Sequence, residues 1–392
     1  MDAIKLAKEN QDLCVKMRRD LHMIPELELD LPKTSKYVKD KLEEFGISYK
    51  EYVNGNGIVA TIEGKGPGKC LAIRADMDAL PVCEETGTEY ASTHPGKMHA
   101  CGHDSHTAIA LTAAKIISEN TDKFNGYVKF IFQPGEEIPG GAEPMIKEGA
   151  LKNPDVDYVI GMHGGRLADE ELGSFGFMKN EMMAAMDTFE IDVYGKSGHG
   201  ARPDEAIDPI VVAAEIITSL QRIISRDISP VENGVISVCK IEGGSSQNII
   251  PDKVHMLGTS RSLNEEVRDI IERRITEVSE GIAKAHGAKA VVNYKRYYPV
   301  VDNDPEFTEK VKDITEELFP GDTLYLKRPT MGGEDFAFYG KEVPATFIFF
   351  TNPKVYDDGS IYPNHNSKFD LDESSFYKAV SVFVETAFKV LN

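Results

Sequence analysis

Apolar residues recur at helical spacing through the first stretch of the chain, from Met1 to about Gly46, where Tyr37, Leu42 and Phe45 stand among charged neighbours. The pattern then changes to short apolar runs cut by glycine-rich turns. Gly57–Glu63 reads as a strand, and so does Cys70–Asp76 after Gly64-Lys65-Gly66-Pro67-Gly68. An Ala- and Ile-rich helix is expected over Thr107–Glu119, followed by strands over Tyr127–Gln133 and Tyr158–Met162. Strands alternating with helices predict an α/β sheet with helices on its faces.

Near Ala184 the pattern shifts again. Asp187–Tyr194 alternates like a half-exposed strand, and Asp208–Ile228 is a long amphipathic helix. Val235–Ile241 and Lys253–Arg261 read as strands, Glu265–His286 as a second long helix and Ala290–Tyr297 as a further strand. The order β-α-β-β-α-β predicts a ferredoxin-like domain over residues 185–297. From Asp302 onward the αβ character returns, with a helix Pro305–Leu318, a strand Thr346–Phe350 and a terminal helix Asp372–Leu391. Residues 1–184 and 298–392 are therefore expected to build one discontinuous domain around the insert.

Composition narrows the function. At 392 residues the chain is too long for one typical core, which agrees with two domains. A net charge of −20 without Lys/Arg clusters argues against nucleic acid as a partner. The five cysteines, Cys14, Cys70, Cys83, Cys101 and Cys239, are scattered and odd in number, so a disulfide framework is not expected and a reducing cytosol is. Met1–Asn10 is polar and no run has the length of a membrane span, so a cytoplasmic protein without membrane partners is expected.

Five short clusters carry residues of chemical interest. Cys101-Gly102-His103 lies in Met98–Thr107, a segment with one thiol, three imidazoles and a carboxylate. Thiolate and neutral imidazole both suit Zn²⁺ or a similar ion, and a nucleophilic Cys paired with His is the other option. Gln133-Pro134-Gly135-Glu136-Glu137 sets adjacent carboxylates at the end of an apolar strand, where α/β proteins place their sites. One such carboxylate can hold metal while the other handles protons. His163 follows another apolar strand, and His365 lies in a polar loop between Asn364 and Asn366. Ser197–Pro203, with His199 and Arg202 on a Gly-softened loop of the insert, suits anion or carbonyl contact. Taken singly, each cluster is also compatible with an ordinary core, cap or solvated loop. Together Cys101, His103, Glu137, His163 and His365 supply five ligand-type side chains expected to converge on one sheet edge. That exceeds what one tetrahedral ion with an open position requires and favours two metals, leaving Glu136 as general base toward the attacking water.

The motifs, taken in order, resemble the aminoacylase–carboxypeptidase family of dinuclear metallohydrolases. The resemblance is to its amidohydrolase branch, with hippurate hydrolases, auxin-conjugate hydrolases and N-acetyldiaminopimelate deacetylases. It is carried almost end to end by Arg18–His22 with Pro25-Glu26-Leu27, Arg74–Pro81, Met98–Asp104, Gln133–Glu137, Ser197–Pro203, Gln247–Pro251 and Met331–Phe336. It implies a mixed-sheet metallopeptidase-like catalytic domain interrupted by a lid or dimerisation domain, and hence a homodimer. It implies ligation of two divalent ions (Zn, Mn, Ni or Co) by Cys101, His103, Glu137, His163 and His365, with Glu136 as catalytic base. Asp78, Asp104 and His106 would orient ligands, His199 and Asn248 would meet the substrate, and Arg261 is a further candidate for a substrate carboxylate. The implied reaction is hydrolysis of an N-acyl amino acid or small peptide, with His199 stabilising the oxyanion.

Three features depart from the family pattern: Gly164-Gly165 after His163, Ile138-Pro139 after the glutamates, and the two asparagines flanking His365. None removes a ligand. A metallo-dipeptidase or carboxypeptidase is the alternative within the class. A cysteine hydrolase lacks an identifiable third group to orient His103, and a non-catalytic binding protein would have no use for Glu136 beside all five ligand types.

Overall fold

The computed structural model describes residues 2–167 and 170–392. The chain divides into two compact units: Met1–Met182 with Val301–Thr330 and Asp335–Asn392, and Met183–Val300 with Met331–Glu334.

The first unit is built on an eight-stranded mixed sheet. Across it run Tyr49–Tyr52, Gly57–Glu63, Tyr127–Gln133, Cys70–Asp76, Tyr158–Gly165, Ala345–Thr351, Phe175–Phe177 and Thr323–Tyr325. Cys70–Asp76 pairs in parallel with both Tyr127–Gln133 and Tyr158–Gly165, and the latter pairs in parallel with Ala345–Thr351. These central strands are apolar and buried along nearly their whole length. Near-continuous apolar runs are what a parallel sheet covered on both faces requires. Because the strands run the same way, the ends of Cys70–Asp76, Tyr127–Gln133 and Tyr158–Gly165 reach one edge together, with Asp76 in register with Gln133.

The helix expected over Thr107–Glu119 starts four residues earlier, at His103, and runs to Ser118. Gly102 precedes it at φ +90°, in a left-handed conformation, and a Cβ there would press within 3.2 Å of Leu371. Glycine is what lets the chain turn sharply from Cys101 into a helix whose first residue is His103. The expected strand Tyr158–Met162 likewise extends to Gly165, so His163 lies within it, opposite Phe349, not beyond it. The N-terminal helical stretch resolves into Ala3–Glu9, Gln11–His22 and Pro32–Glu44.

The helix Gln11–His22 buries Cys14, Met17, Arg18, Leu21 and His22 on one stripe. Arg18 thus stands at a core-facing position, fully buried. Its Nε donates to Asp104 Oδ2 (2.9 Å), its Nη2 to Asp370 Oδ1 (2.9 Å) and its Nη1 to Glu373 Oε1 (3.1 Å). A buried guanidinium survives only with such pairing.

In the second unit the elements run strand Ala185–Tyr194, helix Pro209–Arg226, strands Gly234–Gly243 and Lys253–Ser262, helix Glu265–Ala285 and strand Lys289–Tyr298. The four strands form an antiparallel sheet in which Ala185–Tyr194 and Lys253–Ser262 are central and Gly234–Gly243 and Lys289–Tyr298 lie at the edges. Both helices contribute to its core through Val212, Ile216, Leu220, Val267, Ile271 and Ile275. The short segment Met331–Glu334 joins this unit, with Ala184 N–H donating to Gly332 O (3.0 Å).

Candidate metal centre

Six polar side chains of the first unit gather at the common edge of the parallel strands. Cys101, His103 and His163 present ligand atoms within 4.8 Å of one another, as do Cys101, Glu137 and His365, and likewise His103, Glu136 and Glu137. Cys101 Sγ lies 3.3 Å from His163 Nε2, and His365 Nε2 lies 3.1 Å from Glu137 Oε1. Cys101, His103, Glu136 and His163 are buried, whereas the His365 side chain is 55% exposed.

Each ring is fixed by the nitrogen that faces away. His103 Nδ1 donates to the carbonyl of Asp78 (2.9 Å), which leaves Nε2 as the nitrogen turned to the cluster. His163 Nδ1 donates to Gly164 O (2.8 Å) and turns Nε2 toward Cys101. The Asp78 carboxylate accepts from the backbone N–H of Glu136 (Oδ1, 2.8 Å) and of Glu137 (Oδ2, 3.0 Å). One aspartate thereby sets three of the six groups. The loop between Gln133 and Ala142 is closed by Asp335, which accepts from Gln133 Nε2 and from the N–H groups of Gly141 and Ala142 (2.8–2.9 Å).

His106 has both nitrogens engaged. Its Nδ1 lies 2.6 Å from Asp76 Oδ1, and its Nε2 accepts from Gly164 N–H (2.8 Å). That occupation suits a group steadying the His163 strand end, and leaves no nitrogen for an ion. Asp104 departs from the expected arrangement. Its partners are Arg18 and His22 (2.6 Å to Nδ1) and its own neighbour Ser105 N–H, so it anchors the first helical turn and orients no candidate ligand directly. Burial disfavours its charge, but Arg18 and His22 hold its carboxyl well below the usual range.

Sequence reasoning passed over Asp76. This residue ends an apolar strand, pairs with Arg74 Nη1 (2.5 Å) and stands 3.9 Å from His103 Nε2. An Arg74/Asp76 charge pair in an otherwise apolar parallel strand was the available signal.

The charges of the cluster call for a cation. Burial works against ionising His103, yet Asp76 and Cys101 push its pKa well above the ordinary histidine value. Hydrogen bonds to Cys101 and Glu137 raise His365 to about 10. Burial and Glu137 push the Cys101 thiol up, the opposite of an activated nucleophile. Burial holds His163 well below its usual value and hence neutral. The acidic groups around His103 and His365 thus favour positive charge at the cluster, which divalent ions would supply in place of protons. His103 Nε2 is also buried without a hydrogen-bond partner and lies within the cluster, 3.8 Å from Glu136 Oε2. The donor set of one thiol, three imidazoles and a carboxylate fits divalent transition-metal ions.

His199, Asn248 and Arg261 belong to the second unit. His199 is exposed on the two-residue strand Gly198–His199, which pairs with Ile249–Ile250, and its Nδ1 accepts from Ala201 N–H (3.0 Å). Asn248 is exposed beside it, with its carbonyl accepting from Gly200 N–H (2.8 Å). Arg261 is half-buried, and its Nη1 donates to Thr259 Oγ1 and to Ser260 O.

An α/β sheet with thiol, imidazole and carboxylate donors at its carboxyl edge, and a spare glutamate among them, defines a metal-dependent hydrolase. The chain belongs to peptidase family M20/M25/M40, whose model matches residues 72–389. Thermostable carboxypeptidase 1 of Saccharolobus solfataricus is 40% identical over 93% of this chain and 92% of its own length. The N-acetyl-L-cysteine deacetylase of Bacillus subtilis is 38% identical over 96% of this chain and 88% of its own. Among solved structures, the YXEP protein of Bacillus subtilis, described as a dinuclear metal binding peptidase, superposes with a TM-score of 0.85 at 35% identity, covering 98% of this chain and 99% of that one.

Proposed function

We propose that the chain is a two-metal amidohydrolase that cleaves N-acyl amino acids to a free amino acid and a carboxylic acid. The observation that carries this reading is the convergence of Cys101, His103, Glu137, His163 and His365 around Glu136, with His103 Nε2 buried and unpartnered. Those five side chains would hold two divalent ions of the Zn, Mn, Ni or Co class, which would supply Lewis-acid polarisation of the scissile carbonyl and lower a water's pKa from about 15.7 to about 7. Glu136 takes the proton of the attacking water and delivers it to the departing amine. Asp78 keeps Glu136 and Glu137 in place through their backbone N–H groups.

The second unit acts as a ferredoxin-like lid and dimerisation domain, a reading supported by its β-α-β-β-α-β order and strand arrangement. His199 stabilises the oxyanion, and Asn248 and Arg261 bind the substrate, Arg261 through its carboxylate. Arg261 has the chemistry for that: its described hydrogen bonds run to a hydroxyl and a carbonyl, not to an acid. The edge strand Gly234–Gly243, with Val235 and Ile241 exposed, suits pairing with a second copy. A cytoplasmic setting accords with five free cysteines, and no described helix is long and apolar enough to cross a membrane.

A kinetic panel of N-acetyl, N-benzoyl and dipeptide substrates on metal-reconstituted protein tests the assignment. Higher kcat/KM for the N-acyl compounds is expected. Preference for dipeptides would move the chain to the dipeptidase or carboxypeptidase reading, which the similarity to the Saccharolobus enzyme also supports.

A further inference from the structure

Three candidate ligands lie on segments far apart in sequence: Cys101 before a helix, His163 in a strand and His365 in a loop. One residue that is not itself a candidate ligand touches all three segments. Asn364 Nδ2 donates to Cys101 O (3.2 Å) and to Gly164 O (3.2 Å), and lies 3.9 Å from Cys101 Sγ. Its Oδ1 accepts from Arg166 N–H (3.0 Å). The amide orientation follows from chemistry, because only Nδ2 can face two carbonyl oxygens and only Oδ1 can face an N–H.

We infer that Asn364 is the positioning residue of the metal centre, tying the Cys101, His163 and His365 segments into one unit. The inference rests on the two-metal reading above. Gly164 O is the acceptor that fixes His163 Nδ1, and Asn364 holds that same oxygen on its second lone pair. His365 is the next residue in the chain, sits at φ +70° where non-glycine residues rarely go, and is pinned by its N–H to Ala100 O (2.7 Å). The asparagine anchor precedes that strained residue directly.

The same geometry accounts for Gly164-Gly165. A Cβ on Gly165, already at φ +116°, would overlap Asn364 Oδ1 and stand 2.6 Å from its Nδ2. A Cβ on Gly164 would come within 3.1 Å of Asn352 Oδ1, the atom that accepts from Gly165 N–H. The strand end is stripped of side chains so that two asparagine amides can close on its backbone. Two of the departures from the family pattern, the glycine pair and the asparagine before His365, are thus one device.

The test is cobalt titration of metal-free wild type, Asn364→Leu, Asn364→Ala and Asn366→Ala, read by the thiolate-to-cobalt charge-transfer band and by affinity. Leucine keeps the volume and removes the donors; alanine carries the test if the leucine variant fails to fold, with the metal-free melting temperature as control. Both Asn364 variants should bind cobalt about 10- to 100-fold more weakly, with a weakened or shifted band. Asn366, whose Oδ1 serves Lys368 N–H within its own loop, should give wild-type values when replaced. Wild-type affinity and band in both Asn364 variants would overturn the inference. Failure of the wild type itself to bind cobalt would instead overturn the two-metal reading, and the inference with it.

Discussion

In the first unit, His103, His163 and the two glutamates reach the metal centre already fixed from behind, by Asp78, by Gly164 O and by the Asp335-closed loop. In the second unit, His199 stands exposed on a two-residue strand with Asn248 exposed beside it, and among the described residues their side-chain bonds run to neighbours two residues away, Ala201 and Ser246. On the proposed reading, the difference separates two jobs. Ions need ligands held to a narrow geometry before anything binds, and of the donors Cys101, His103 and His163 are buried. Groups that meet a substrate must stay reachable until it arrives.

Four experiments break or sharpen this contrast. The largest effect is expected from Glu136→Ala, which should keep its metal and lose about 10⁴-fold in kcat, measured by steady-state kinetics with metal analysis. Loss of metal instead would make Glu136 a ligand. Arg18→Ala removes the cation facing Asp104 and Asp370 and should cost about 3–5 kcal/mol of stability in denaturant titration, because it leaves buried charges unpaired. A cost below about 1 kcal/mol would show that the helix bearing His103 needs no such anchor. His199→Ala should lower kcat by about 10²- to 10³-fold while metal content stays at the wild-type level; a metal-depleted variant would erase the distinction between the two regions. The smallest effect is proton linkage. His365, at about 10 in the metal-free protein, carries a proton at neutral pH and must lose it to become a ligand. Metal binding should therefore release protons, and affinity should rise with pH between about 6 and 9, as titration calorimetry in buffers of different ionisation heat would report.

The sequence made the central strands legible because a strand buried on both faces must be mostly apolar, as Cys70–Asp76 and Tyr127–Gln133 are apart from Arg74, Asp76, Lys129 and Gln133. The six residues of the centre were legible by type, since thiol, imidazole and paired glutamates at strand ends have few structural uses. Phe175–Phe177 and Thr323–Tyr325 were missed because three residues are too few to carry a period. Asp104 was placed beside the ligands because it follows His103, but successive helical residues point about 100° apart, and its side chain faces Arg18 instead. Arg18 and Asn364 escaped for a common reason. Their roles depend on partners up to 355 residues away, as Arg18 and Glu373 are, and no local pattern records such pairings.

The central claim is that Cys101 serves metal-assisted water attack and not nucleophilic catalysis. Its most direct test is the activity of the wild-type protein on an N-acetyl amino acid before chelation, after chelation and during titration with a divalent ion. Activity should vanish with the metal and return as about two equivalents per chain are added. Activity that survives complete metal removal, and is then lost on alkylation of Cys101, would contradict the account.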